Sequence, residues 1–91
     1  MRVRVLLFGQ LRDIIGKGED FLELSQGARV SEVMAYYAQQ YPSFGPISGS
    51  LACSVNEEYV PGSTVLCEND EVGLLPPVSG GKEESGDPVI G

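Results

Sequence analysis

The chain of 91 residues has no histidine and no tryptophan, only two cysteines, and six basic residues against thirteen acidic ones. Each scarcity excludes a class of function. Without imidazole there is no Ser-His-Asp or Cys-His catalytic set and no zinc site built on histidine. Two thiols make neither a four-ligand metal site nor a disulfide framework, so Cys53 and Cys67 are expected as reduced, small core residues. Arg2, Arg4, Arg12, Lys17, Arg29 and Lys82 are scattered, and with a net charge of −7 they form no basic stripe for phosphates. No nucleic-acid partner is expected. Such an acidic surface suits partners with basic docking surfaces, or serves solubility alone. No apolar run approaches the roughly 18 residues of a membrane span, and the opening "MRVRVLLFGQ" turns polar too early for a signal peptide. No membrane partner is expected, and the cytoplasm is the expected location.

The nucleotide motifs fail as well. "SGGK" at residues 79–82 has Pro76 where a phosphate-binding loop needs its first glycine, and Glu83 where it needs Ser or Thr. "GKGEDF" lacks the third glycine of a dinucleotide fingerprint and its strand-to-helix setting. Glu57, Glu58, Glu68, Asp70 and Glu71 fall at turns without the alternation of a calcium loop, which leaves them as solvated surface.

What is present is a single small core, since 42% hydrophobic content in a chain of this length leaves no room for two. "RVRVLLF" alternates, with Val3, Val5 and Leu7 on one face and Arg2, Arg4, Leu6 and Phe8 on the other, and reads as a strand whose second face ends apolar. "GQLRDIIGKG" has room for a turn or two of helix before Gly16 and Gly18. "EDFLEL" alternates again, with Leu22 and Leu24 on one side, and suggests an antiparallel partner for the first strand. In "VSEVMAYYAQQY" Val30, Val33, Met34, Tyr37, Ala38 and Tyr41 form one helical stripe. Ser31 is a candidate cap, Glu32 lies in the first turn, and Tyr41-Pro42 ends the helix. "PSFGPISGS" reads as a loop, "LACSVN" as a strand with Leu51, Cys53 and Val55 on one face, and "EEYVPGS" as a turn with Tyr59 near its edge. After "TVLC", "ENDE" makes a turn and "VGLL" a last strand, halted by Pro76-Pro77. One main helix on one face of a mixed sheet is an α+β layer arrangement.

The ending "ENDEVGLLPPVSGG" resembles that of the small subunit of molybdopterin synthase, the sulfur carrier of the ThiS/MoaD ubiquitin-like family, and residues 1–81 fit throughout. "VRVLLFGQLRDIIG" is similar to that family's first strand and short helix, "GARVSEVMAYYAQQYP" to its main helix, and "ACSVNEEYV" to its middle strand and turn. The resemblance implies a β-grasp, ubiquitin-like fold with a mixed sheet of four to five strands and one main helix packed on one face.

It also implies a chemistry seated on the carboxylate of Gly81. A ubiquitin-activating-type adenylating enzyme uses ATP to form an acyl-adenylate there, sulfur from a persulfide donor gives a thiocarboxylate, and the large synthase subunit, MoaE, uses that sulfur to build molybdopterin from cyclic pyranopterin monophosphate. No cofactor is bound by the carrier itself, and catalysis belongs to its partners. Pro77, Val78, Ser79 and Gly80 are the expected threading residues of a tail spanning 76–81. Glycines lack the Cβ that would obstruct a narrow channel, and the prolines stop the last strand from pairing onward. Phe8, Tyr59 and Leu75 match positions of an apolar docking patch, and the acids near "EEY" and "ENDE" suit basic partner rims. The domain is thus expected over 1–81. Residues 82–91, "KEESGDPVIG", are expected as a linker to a fused MoaE-like domain or a cleavable extension, because an amide at Gly81 cannot be adenylated. Related readings are a carrier for thiazole or tRNA thiolation and a ubiquitin-like modifier. The length before Gly-Gly and the "PPVSGG" ending favour molybdopterin.

Overall fold

Alternation in the first residues becomes strand β1 (Arg2–Leu7), with Val3, Val5 and Leu7 buried and their neighbours facing outward. The structure, a computed structural model, describes residues 1–76. After β1 come α1 (Gln10–Ile15), β2 (Glu19–Glu23), α2 (Val30–Gln40), α3 (Gly45–Ser48), β3 (Ala52–Val55), β4 (Glu58–Val60) and β5 (Glu71–Leu75). The five strands form one mixed sheet in the order β2-β1-β5-β3-β4. β1 runs parallel to β5 with Leu7 opposite Leu74, and every other pairing is antiparallel. The expected antiparallel pairing of the first two strands is present, with α1 as the connection.

The helical stripe of α2 covers one face of this sheet. Val30, Val33 and Tyr37 are fully buried with Val3, Val5, Leu7, Leu11, Val72 and Leu74, while Met34, Ala38 and Tyr41 pack at the margin. Tyr41 ends the helix in an extended conformation before Pro42, as the clash with a following proline ring requires. Tyr37 brings a polar atom into this core. Its hydroxyl donates to Asp20 Oδ2 at 2.9 Å, which ties α2 to β2. Partial burial by itself raises the Asp20 carboxyl, but hydrogen bonds from Tyr37, the Phe21 N–H and Lys17 outweigh it and hold the group below its ordinary value. Burial, aided by the bond to Asp20, pushes the Tyr37 phenol strongly upward.

Four sequence expectations need correction. Ser31 is not the cap of α2. The cap is Arg29, two residues earlier, the Glu32 carboxylate accepts the Arg29 N–H at 3.0 Å, and the Ser31 N–H donates to the Gly62 carbonyl at 2.9 Å. The stretch 42–50 is not wholly a loop, because it holds α3 with a proline in its first turn, where the missing N–H has no helical partner to lose. Phe44, just before α3, is fully buried with its ring 5.7 Å from that of Tyr37. The turn expected across 57–63 is split, because Asn56 and Glu57, with φ values of 52° and 72°, close a two-residue hairpin, Glu58–Val60 is β4, and a second turn follows at Gly62–Ser63, where the Thr64 N–H donates to the Pro61 carbonyl at 3.1 Å. Finally, only Cys53 is a core thiol, and burial pushes it up; Cys67 is exposed, since it opens the acidic turn where its N–H donates to Asp70 Oδ2 at 2.8 Å.

Candidate functional site: the outer sheet face and the root of the tail

The face of the sheet opposite α2 carries the residues that strand alternation sends outward. In register across it, Leu6 of β1 lies opposite Gly73 of β5, Gly73 opposite Ser54 of β3, and Ser54 opposite Tyr59 of β4. The next row pairs Leu75 with Ala52, and Phe8 follows directly after β1, its N–H reaching the Leu74 carbonyl at 3.3 Å. Phe8 is 39% and Tyr59 74% exposed, large values for aromatic side chains with no core role.

Gly73 is what lets this surface form. A Cβ built there would stand 2.6 Å from Ser54 Oγ, 3.5 Å from a Phe8 ring carbon and 3.9 Å from Leu75 Cδ1. The Phe8 and Leu75 side chains therefore converge over bare backbone, and a glycine inside a central strand marks a place of close approach. Of the three residues expected in a docking patch, the structure brings Phe8 and Leu75 together. Tyr59 stands farther along the same face, on the edge strand two places from β5. Gly73, Ser54 and Ala52 complete the surface and were missed in the sequence; the glycine inside "EVGLL" was the available signal.

Charge borders the apolar area. Arg4 sits between two carboxylates, bonded through Nε to Glu19 and through a terminal nitrogen to Glu71 Oε2 at 2.8 Å. The Arg2 guanidinium lies 4.7 Å above the Phe21 ring. A shallow hollow of about 380 Å³ opens between these residues and Asn69; its cations are already engaged by carboxylates and the ring, so it offers no free charge to an anion. Asp70 and Asn56 of the acidic turns are used within the fold, Asn56 Nδ2 donating to Asp70 Oδ1 at 3.0 Å. Glu57, Glu58 and Glu68 are exposed. Among the described residues no cluster of His, Cys, Asp or Glu can hold a metal ion, and no helix is long and apolar enough to cross a membrane.

Pro76, at the end of β5, is the last described residue. Pro77, Val78, Ser79, Gly80 and Gly81, and the following residues 82–91, lie outside the described residues. The apolar face thus reaches the end of the described residues, since Leu75 belongs to the face and Pro76 follows it directly.

A mixed five-stranded sheet grasping one main helix, with an exposed apolar patch on its outer face, defines the ubiquitin-like β-grasp class. Within that class the chain belongs to the ThiS family, whose model matches residues 5–81. It is 31% identical to the molybdopterin synthase sulfur carrier subunit of Chlamydomonas reinhardtii, over 89% of this chain and the whole of that one. Among solved structures it is similar to small archaeal modifier protein 1 of Methanosarcina acetivorans, with a TM-score of 0.72, 32% identity and coverage of 88% of this chain and 96% of that one. It is also similar to a chain in the complex of subunits 1 and 2 of molybdopterin-converting factor from Helicobacter pylori, with a TM-score of 0.62, 28% identity and coverage of 89% and 100%.

Proposed function

We propose that this chain is the sulfur carrier of molybdopterin biosynthesis, acting through the carboxylate of Gly81 once that residue is the free end. The observation that carries the reading is the extent of the family match, which runs through the tail and stops at Gly81. The relative in C. reinhardtii, matched over its whole length, is named a sulfur carrier subunit of molybdopterin synthase.

The chemistry asks little of the carrier itself. A carboxylate is a poor electrophile. A ubiquitin-activating-type partner joins it to the α-phosphorus of ATP, releasing pyrophosphate and making AMP the leaving group. The terminal sulfur of a persulfide donor attacks the acyl carbon and expels AMP, and a thiol then reduces the acyl disulfide, leaving a thiocarboxylate on Gly81 and a disulfide on the donor side. No general base of the carrier is required, which fits a chain without histidine. The large synthase subunit is the partner that receives the tail and holds the active site. Its association with a chain of this fold is supported by the molybdopterin-converting factor complex from H. pylori, in which subunits 1 and 2 occur together. Phe8, Leu75 and Tyr59 are the docking residues on the outer face. Gly80 and Gly81 thread the partner's channel, preceded by Pro77, Val78 and Ser79. Residues 82–91 must be cleaved, or bypassed, before Gly81 can react.

A chain ending at Gly81, mixed with its adenylating enzyme, ATP and a persulfide donor, is expected to release pyrophosphate and gain a thiocarboxylate; substitution of Gly81 by a bulky residue abolishes both while the fold persists. Unchanged loading of that variant contradicts the threading role, and no loading of the unaltered chain contradicts the carrier reading. The similarity to an archaeal modifier favours one second reading, in which a lysine amine instead of sulfur attacks the same adenylate. Isopeptide-linked conjugates in cells, without any thiocarboxylate, are the result that selects it.

A further inference from the structure

Gly9 has φ 58° and ψ −135°, a region that residues with a Cβ rarely enter. Its position follows from the parallel pairing of β1 and β5. Leu7 lies opposite Leu74, so two residues further along each strand Gly9 comes beside Pro76. Past this point β1 turns into α1, the N–H groups of Leu11 and Arg12 bonding to the carbonyls of Phe8 and Gly9 at 3.1 Å each, whereas β5 ends at Leu75. A Cβ added at Gly9 would fall 2.8 Å from Pro76 Cγ and 3.5 Å from Cδ. The proline ring therefore occupies the space that only glycine leaves open.

We propose that Gly9 and Pro76 form a joint that sets the direction in which the tail leaves the docking face, making both positioning residues for the activation of Gly81; this rests on the sulfur-carrier reading above. Phe8 precedes Gly9 and Leu75 precedes Pro76, so a partner seated on Phe8 and Leu75 meets the root of the tail at a defined place. Proline contributes a fixed φ and no N–H with which to continue the ladder, and the contact with Gly9 blocks one side of the root. Gly81 lies five residues beyond Pro76, a span of at most about 17 Å. Misplacements of about an ångström at a reacting group are enough to slow a reaction strongly.

The test uses the chain ending at Gly81, its adenylating enzyme and ATP, with pyrophosphate release as the rate and the thermal midpoint as the check on folding. Pro76→Ala is expected to keep the fold and to lower kcat about tenfold with KM for the carrier changed less than about twofold, the split that separates positioning from docking. Gly9→Ala is expected to lower kcat in the same way. The double variant is expected to lose less than the product of the two single losses, because the clash with the ring is gone and only the strain of a Cβ at positive φ remains. If Gly9→Ala does not fold, Pro76→Ala carries the test by itself. An unchanged kcat for Pro76→Ala, or losses that multiply in the double variant, overturns the joint. Failure of the unaltered chain to release pyrophosphate overturns the carrier reading instead.

Discussion

At the scale of single residues, the chain separates the groups that hold the fold from those that face a partner. Tyr37 and Asp20 belong to the first kind, and their bond has a pH signature. The folded-state pKa of Asp20 lies below its ordinary value of 3.8, so its stabilisation is present above that value and is lost as the pH falls through the folded pKa. Tyr37→Phe removes a hydrogen bond that lowers it. Urea midpoints taken on either side of pH 3.8 are expected to fall with acid in the parent chain and to fall less steeply in Tyr37→Phe. Equal slopes would show that the bond does not favour the ionised Asp20 carboxylate. Phe8 was legible from alternation, which placed it off the core face, and Leu75 from the resemblance. Gly73 and Gly9 were not, because each matters through an atom it lacks, and the neighbours that would meet that atom, Ser54 and Pro76, are distant in sequence.

At the scale of elements, periodicity identified β1, β2 and α2 because each buries one regular stripe against the same core. It failed where another device takes over. α3 is a single turn around a proline, too short to show a period, and it exists because Phe44 is buried beside Tyr37 and carries the chain back to the sheet. The hairpin between β3 and β4 is closed by Asn56 and Glu57 in left-handed conformations, without the glycine that normally announces such a turn. That substitution leaves strain to be recovered. Glu57→Gly is expected to stabilise the chain by about 1 kcal/mol, the approximate cost of a left-handed conformation for a residue with a Cβ. The gain is visible as a higher urea midpoint with an unchanged slope, and a lower midpoint would mean that the Glu57 side chain stabilises the turn in some other way.

At the scale of the whole molecule, a small acidic domain devotes one sheet face to its core and carries on the other an exposed apolar patch bordered by charge. The core was largely readable from the sequence because hydrophobic burial is written as local alternation. The outer face was readable only in part, since its continuity depends on the strand order β2-β1-β5-β3-β4 that brings the first and last strands together. The reacting atoms we propose belong to Gly81, a reading carried by resemblance and supported by the extent of the family match. Intact-mass measurement of the protein isolated from its own cells tests this most directly. The carrier mechanism predicts a species ending at Gly81, part of it with sulfur in place of one carboxylate oxygen. Finding only chains that continue past Gly81 in cells that still make molybdopterin would contradict it.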